Sequence, residues 1–161
     1  MFDWQVEIRN RVETFARSVG KSLAKQIGFG YDGMVFKTDR NTAIKGFKHE
    51  QLYRNERDVY ARIDEYDMYE VRGCSVPHVY ASNDESWCIE MEIVSPPFVL
   101  DFAGAYLNFP PEYPDDVMET WRAEKREQYE DDWPWVQEIM SDLASIGVYL
   151  ADVKPGNITL R

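Results

Sequence analysis

The sequence predicts an α+β fold in which a β-rich segment lies between helical segments. Apolar residues recur at three- and four-residue steps in residues 4–19 and again in residues 49–63, which is the period of a helix that buries one face. Between them, residues 24–47 contain short β-rich runs separated by polar turns. Beyond residue 108 the pattern becomes loop-like and then helical, so the sheet is expected in the first part of the chain.

The composition limits the partners that the chain can bind. Its 161 residues, of which 44% are hydrophobic, suit one ordinary domain with a substantial core. A formal charge of -11 disfavours attachment to nucleic acid or to an anionic membrane, because both present negative charge to the protein. We therefore expect no nucleic-acid and no membrane partner, and an anionic nucleotide would need a local positive site.

The cysteines and the N-terminal residues indicate a cytoplasmic location. Cys74 and Cys88 lack metal-ligand spacing and are expected to be ordinary thiols in a reducing compartment, with a single disulfide as the alternative. No stretch approaches the roughly 18 apolar residues of a membrane span. Residues 1–20 carry charges throughout, unlike the apolar centre of a signal peptide.

The first three predicted elements are a helix, a hairpin and a second helix. The first helix, ending near residue 20, is expected to pack on the body of the protein. Runs at residues 34–36 and 42–47 flank a polar turn and predict the hairpin. The helix at residues 49–63 places Glu56 on its apolar side. The two apolar stripes consist of Trp4, Ile8, Val12, Phe15 and Val19, and of Leu52, Val59, Tyr60 and Ile63.

Two further strands complete the predicted sheet. Residues 76–81 and 87–94 have strand composition, and the turn-forming residues 82–84 join them. Pro96 and Pro97 then end the sheet region.

The remainder of the chain is predicted to be a loop and two helices. Residues 108–116 combine three prolines with aromatic and acidic residues, which indicates a loop. The charged residues 117–131 indicate a solvated helix, and residues 135–146 a core helix that Gly147 closes.

A glycine-rich segment at residues 28–35 follows the first β-rich residues. Its Gly28, Gly30 and Gly33 lack side chains, which lets backbone amides approach phosphate groups closely. A dinucleotide-binding turn would continue into a helix, whereas β-rich sequence follows here, so that interpretation is disfavoured. A plain glycine-rich hairpin is the alternative.

Lys45 and Glu56 are the predicted charged pair of the site. Lys45 ends a β-rich run among apolar neighbours, where its ammonium can meet phosphate. A carboxylate on a buried helix face is costly unless it is paired, so Glu56 is the natural counter-charge. Two alternatives remain open: Lys45 is a surface residue, or Glu56 pairs with Arg57 or Arg62.

This ordered set resembles the protein-kinase family, whose glycine loop, Val-Ala-Ile-Lys strand and helix-C glutamate occur in the same order. Residues 88–94 look like the fifth strand of that fold running into the hinge, although such a strand is also common in plain cores. The resemblance implies ATP as the cofactor, Met91 at the gatekeeper position and hinge backbone groups on the adenine edge. The nucleotide-binding residues that it implies are Gly28, Gly30, Gly33, Val35, Ala43, Lys45, Met91, Glu92 and Val94.

Residues 152–157, Asp-Val-Lys-Pro-Gly-Asn, are similar to the kinase catalytic loop. By that resemblance Asp152 would accept or orient the substrate hydroxyl, and Lys154 would neutralise the transferring phosphoryl group. Asn157 would coordinate magnesium, and Lys45 with Glu56 would complete the catalytic set. A chance turn of this composition is the alternative for this motif taken alone.

The sequence departs from the family pattern in two places. Leu150 and Ala151 stand where the family usually has His-Arg. The family also places an Asp-Phe-Gly triplet beyond the catalytic-loop asparagine, whereas the sequence ends at Arg161. Asn157 alone is a poor metal ligand set, so we expect magnesium to be held weakly and phosphotransfer to be impaired or absent.

The resemblance implies an α+β, protein-kinase-like architecture in three parts. Residues 1–20 form a helix that packs on the body, and residues 21–97 form an N-lobe with five antiparallel strands, helix C and the hinge. Residues 98–161 form a reduced helical C-lobe that ends in the catalytic loop. Apolar surface left on that lobe would favour a homodimer or a protein partner.

Three functions are compatible with these motifs. The first is a minimal kinase-like domain that binds ATP in an inter-lobe cleft. The second is an active phosphotransferase, acting on a protein or a small molecule, whose missing carboxylate comes from elsewhere. The third is a non-catalytic, pseudokinase-type interaction module.

Overall fold

The computed structural model describes residues 2–150 and 153–160. Contacts divide the chain into two compact units. The first comprises Met1–Arg57 and Pro77–Ile93, and the second comprises Asp58–Val76 and Val94–Arg161. The lobe boundaries expected from the sequence stay predictions.

Among the described residues there are four α-helices and one short 3-10 helix, Glu130–Asp132. The α-helices are α1 (Asp3–Ser18), α2 (Glu50–Glu65), α3 (Asp115–Tyr129) and α4 (Trp133–Ser145). The strands are β1 (Leu23–Phe29), β2 (Gly33–Thr38), β3 (Thr42–Phe47), β4 (Glu70–Val71), β5 (Cys74–Ser75), β6 (Val79–Asn83), β7 (Cys88–Glu92), β8 (Val99–Leu100), β9 (Tyr106–Leu107), β10 (Val148–Tyr149) and β11 (Ile158–Thr159).

The first unit is built on a five-stranded antiparallel sheet with the strand order β1-β2-β3-β7-β6. The chain is therefore a mixed α+β protein, and the predicted antiparallel sheet of five strands is confirmed. The second unit contains a four-stranded sheet of order β11-β8-β5-β4 and the two-stranded sheet β10-β9. These short strands were not predicted, because two residues are too few to show a period.

Helix α1 covers one face of the five-stranded sheet. Its close approach depends on Gly46 of β3, where an added Cβ would lie 2.5 Å from Val12 Cγ2 and 2.8 Å from Ile8 Cγ2. Helix α1 thus packs directly on the sheet of the first unit. The buried residues of this cluster are Ile8, Val12, Phe15, Ala16, Met34, Phe36, Ile44 and Cys88.

The opposite face of the sheet packs against the beginning of α2. Phe47 of β3 and Ile89 of β7 form a buried cluster with Tyr53, whose ring meets that of Phe47 edge-on with centroids 5.8 Å apart. Side chains alternate between faces along a strand, so residues 43, 45 and 47 of β3 point away from α1. This face carries the candidate site.

The core of the second unit is formed mainly by α4 and the segments packed on it. Tyr60 meets Phe102 edge-on with ring centroids 5.6 Å apart. Helix α3 buries only Tyr129 among its described side chains, in agreement with the predicted solvated helix. Its α4 neighbour buries Trp133, Val136, Ile139 and Leu143.

Several predicted boundaries are confirmed and one strand is displaced. Helix α1 ends at Ser18, close to the predicted end, and Gly147 follows α4 with a φ of +80°. Strand β6 begins and ends later than the predicted 76–81. The reason is local: Asn83 Oδ1 accepts hydrogen bonds from the N–H groups of Glu85 and Ser86, so the reversal begins after Asn83.

Two further features are the state of the cysteines and the apolar content of the helices. Cys74 and Cys88 are both buried and free, so the disulfide alternative is not formed. None of the helices in the described part of the chain has the length and apolar content needed to cross a membrane.

Candidate functional site

The candidate site is centred on Lys45 and Glu56, which form a buried ion pair. Lys45 Nζ donates a hydrogen bond of 2.7 Å to Glu56 Oε2. Lys45 is 9% exposed and Glu56 4%. The expected pairing is present, and Lys45 is a buried residue and not a surface one. The ammonium also lies 4.7 Å from the centroid of the Phe47 ring, which adds an attractive cation–π contact.

Glu56 is positioned by contacts that hold the start of α2 against the sheet. One turn before it, the Tyr53 hydroxyl donates to Asp84 Oδ1 at 2.7 Å, and Arg57 Nη1 donates to the same oxygen at 2.9 Å. Burial raises the pKa of the Tyr53 hydroxyl, so it stays protonated and continues to donate. Two side chains of α2 thus meet one carboxylate in the β6–β7 turn, which fixes the direction of Glu56.

Apolar residues predicted to contact the nucleotide share the sheet face of Lys45. Val35 lies opposite Lys45 in the β2–β3 pair, and Ala43 lies opposite Met91 in the β3–β7 pair. Gly28 lies opposite Val35 on the next strand. Five of the predicted residues are therefore brought together by the register of the sheet, around an ammonium that Glu56 holds in place.

The glycine-rich segment contains the β1–β2 turn. Its Gly30 and Gly33 differ in how much space surrounds them. Gly30 N–H donates to Gly33 C=O at 3.0 Å, which closes the turn over two residues. A Cβ on Gly33, whose φ is +156°, would lie 2.0 Å from the Gly46 carbonyl oxygen, so the sheet itself requires glycine there. A Cβ on Gly30 would meet nothing within 4 Å. The backbone at Gly30 is consequently open to a ligand.

Asp32 belongs to the site although the sequence reasoning missed it. Its Oδ2 lies 3.8 Å from Lys45 Nζ, and its side chain is 20% exposed. The Asp32 carbonyl accepts a hydrogen bond of 2.8 Å from Lys48 N–H. The available signal was an acidic residue inside a glycine-rich segment, but its proximity to Lys45 depends on the hairpin register.

The end of β7 carries Glu92, one of the residues expected beside adenine, and the adenine-binding hinge stays a prediction. Glu92 N–H donates to the His78 carbonyl at 2.8 Å, and the Glu92 carboxylate lies 3.3 Å from His78 Nδ1. This N–H is therefore used within the sheet. Val94, the other predicted residue of this stretch, belongs to the second unit.

Glu90 is a second charged residue that sequence reasoning missed. It is 2% exposed and lies on the α1 side of the sheet. Its Oε2 accepts hydrogen bonds from Lys21 Nζ at 2.5 Å and from the Thr42 hydroxyl at 2.7 Å. The pair ties the residues after α1 to the centre of the sheet, so its role is structural.

The predicted catalytic loop is described in part. Asp152 lies outside the described residues. In the second unit Lys154 is exposed and Asn157 is buried. The N–H groups of Asn157 and Ile158 donate to the Lys154 carbonyl at 2.8 and 2.9 Å, and Asp101 N–H donates to the Asn157 carbonyl at 2.8 Å. The turn after Val153 is therefore compact and anchored.

Magnesium at Asn157 would need further oxygen ligands. Magnesium prefers several oxygen ligands, usually including one or two carboxylates. Among residues 2–150 and 153–160, no three or more His, Cys, Asp and Glu side chains are grouped so that they could hold a metal ion. Magnesium binding at Asn157 stays a prediction.

Comparison with known proteins gave no match. No protein-family model matches the chain, and no curated protein is significantly similar to it in sequence. The kinase resemblance consequently rests on the motifs quoted above and stays a prediction.

Proposed function

We propose that the chain is a protein-kinase-like module that binds ATP on the sheet face of the first unit that carries Lys45. The observation that carries the proposal is the buried Lys45–Glu56 pair, whose ammonium and carboxylate are 2.7 Å apart. In protein kinases, a lysine on the third strand contacts the nucleotide phosphates and pairs with a glutamate of helix C. Lys45 on β3 and Glu56 on the following helix have the same order.

The burial of this pair favours a ligand-binding role over a purely structural one. Two charges removed from water lose much of their hydration energy, and well-packed apolar residues in their place often give equal or greater stability. A buried ion pair is therefore weak evidence for a stabilising role. A lysine fixed in direction by a carboxylate is, by contrast, well suited to meet an anion.

The neighbouring residues suit the two ends of a nucleotide. Val35, Ala43 and Met91 supply an apolar surface for a flat base, and Ala43 takes up little space there. The open space beside Gly30 leaves room for phosphates at the β1–β2 turn, although the Gly30 N–H itself is used by the Gly33 carbonyl. Because the Glu92 N–H is used within the sheet, the base would be recognised mainly by shape and by other hinge groups.

Isothermal titration calorimetry with ATP tests the proposal. We expect binding with a Kd between about 1 μM and 1 mM, the usual range of enzyme substrate constants. The double variant Lys45→Met with Glu56→Gln removes the ammonium without leaving a charged partner buried, and it should reduce ATP affinity at least about tenfold. Arg9→Met with Glu13→Gln, which neutralises an exposed ion pair on α1 at the other face of the sheet, is the matched control.

Two results would count against the proposal. One is a wild-type protein that remains fully folded but takes up no ATP at millimolar concentration. The other is an equal loss of affinity in the double variant and in the Arg9→Met with Glu13→Gln control, because the loss of any ion pair, and not of the Lys45 site in particular, would then lower the affinity.

Phosphotransfer is a second candidate function, favoured by the anchored turn that exposes Lys154 beside the buried Asn157. An exposed lysine on a fixed turn can meet a transferring phosphoryl group. Transfer of labelled γ-phosphate to a panel of protein and small-molecule acceptors tests it. Activity that disappears in Asp152→Asn and persists in Asp101→Asn would support this function, whereas no transfer to any acceptor would argue for a binding role alone.

A further inference from the structure

We propose that Asp32 competes with the phosphates of a bound nucleotide for the ammonium of Lys45, and so determines which ligands the site accepts. The inference rests on the nucleotide site proposed above. Asp32 Oδ2 lies 3.8 Å from Lys45 Nζ, while Glu56 Oε2 lies 2.7 Å from the same nitrogen. One ammonium is thus already shared by two carboxylates.

Two carboxylates are described beside the Lys45 ammonium, in a protein whose total charge is -11. The side chains of Asp32, Lys45 and Glu56 are only 20%, 11% and 4% exposed. Charges in such surroundings are screened by salt much less than charges on the surface. A phosphate that approaches Lys45 therefore meets the negative charge of Asp32.

The position of Asp32 is set by the backbone of the turn. Its carbonyl accepts a hydrogen bond from Lys48 N–H at 2.8 Å, and the turn is closed by the 3.0 Å bond from Gly30 N–H to Gly33 C=O. These two hydrogen bonds hold the backbone from which the Asp32 side chain extends toward Lys45. Carboxylate and phosphate oxygens are both strong acceptors for an ammonium, so the Asp32 carboxylate and a phosphate would compete for Lys45.

This arrangement predicts a dependence on ligand charge. Asp32→Asn keeps the size of the side chain and the backbone bonds of the turn, but removes the competing charge. We expect the variant to bind ATP about tenfold more tightly than the wild type, ADP a few-fold more tightly, and adenosine equally well. Glu13→Gln, an equal change of charge on α1, should leave all three affinities unchanged.

The experiment is calorimetric titration of adenosine, ADP and ATP into wild type, Asp32→Asn and Glu13→Gln in one buffer, with circular dichroism as the check on folding. A gain that rises with the number of phosphates and occurs only in Asp32→Asn supports the inference. Equal affinities in wild type and Asp32→Asn, or an equal gain in Glu13→Gln, would overturn it while the proposed nucleotide site stands. If no protein binds any of the three ligands, the proposed function itself fails, and the inference fails with it.

Discussion

Lys45 Nζ donates to Glu56 Oε2 at 2.7 Å within the first unit, although eleven residues separate the two in sequence. Strand β3 carries the Lys45 ammonium on the sheet face opposite α1, and α2 carries the Glu56 carboxylate on its apolar side. Neither charge would be stable there without the other. The stability of this pair can therefore be tested separately from any ligand.

Removing one partner of the pair should cost more than removing both. Glu56→Leu removes the carboxylate that accepts the 2.7 Å hydrogen bond from the buried Lys45 ammonium, and we expect it to lower the free energy of unfolding by about 3–5 kcal/mol. Lys45→Met combined with Glu56→Leu should lower it by less than Glu56→Leu alone. Chemical denaturation monitored by tryptophan fluorescence measures both. Glu50→Gln, which breaks an exposed pair with Arg54, is the control and should cost under about 1 kcal/mol. Equal costs for Glu56→Leu and Glu50→Gln would contradict the prediction.

Gly46 on β3 and Gly30 in the β1–β2 turn should respond differently to alanine. Gly46→Ala places a methyl group 2.5 Å from Val12 Cγ2, so α1 must shift, and we expect a loss of about 1–3 kcal/mol in stability. Gly30→Ala meets no atom within 4 Å and should change stability by less than about 1 kcal/mol. Thermal unfolding of the two variants is the measurement, and a larger loss for Gly30→Ala would show that the helix packing has been misjudged.

Cys88 should make stability depend on pH in the alkaline range. Burial raises the pKa of its thiol from 9.0 to about 11. Below pH 9 the thiol is protonated in both the folded and the unfolded state. Between about pH 9 and 11 the unfolded chain loses its proton while the folded protein keeps it, so stability falls as pH rises, by about 2–3 kcal/mol in total.

The comparison with Cys88→Ala isolates this effect. Urea denaturation of both proteins from pH 7 to 11 should give parallel stabilities up to about pH 9 and a steeper fall for the wild type above it. A constant difference between the two proteins across the whole range would rule out the thiol as the source. Cys74→Ala provides a second thiol variant, because burial raises the pKa of Cys74 as well.

The Lys21–Glu90 pair should be structural and independent of ligand. Lys21→Ala leaves the Glu90 carboxylate, which is 2% exposed, with the Thr42 hydroxyl as its remaining described donor. We expect a loss of about 2–4 kcal/mol in stability, with ATP affinity unchanged once the variant is folded. Lys25→Ala, at an exposed position of β1, should stay within about 0.5 kcal/mol of the wild type. A change in ATP affinity in Lys21→Ala at temperatures where it is folded would assign this pair to the site.

The sequence predicted the helices and the face of Glu56 because both depend on local periodicity. Apolar residues at three- and four-residue steps define the buried side of a helix whatever it packs against. Lys45 was recognised as a partner for Glu56 from the cost of burying a lone carboxylate. The displaced strand β6 shows the limit of this reasoning, because the side chain of Asn83 decides where the chain reverses.

By itself the sequence determined the mixed α+β class, four of the five strands of the antiparallel sheet and the charged pair at the candidate site. Only the tertiary structure placed Asp32 beside Lys45, Lys21 on Glu90, and Gly46 beneath α1. Lys21 and Glu90 are 69 residues apart, and Asp32 reaches Lys45 only through the register of three strands. The periodicity of apolar residues predicts which side of a helix or strand is buried. Which residues meet there is decided by strand register and helix packing, because these bring together groups that are distant in the chain.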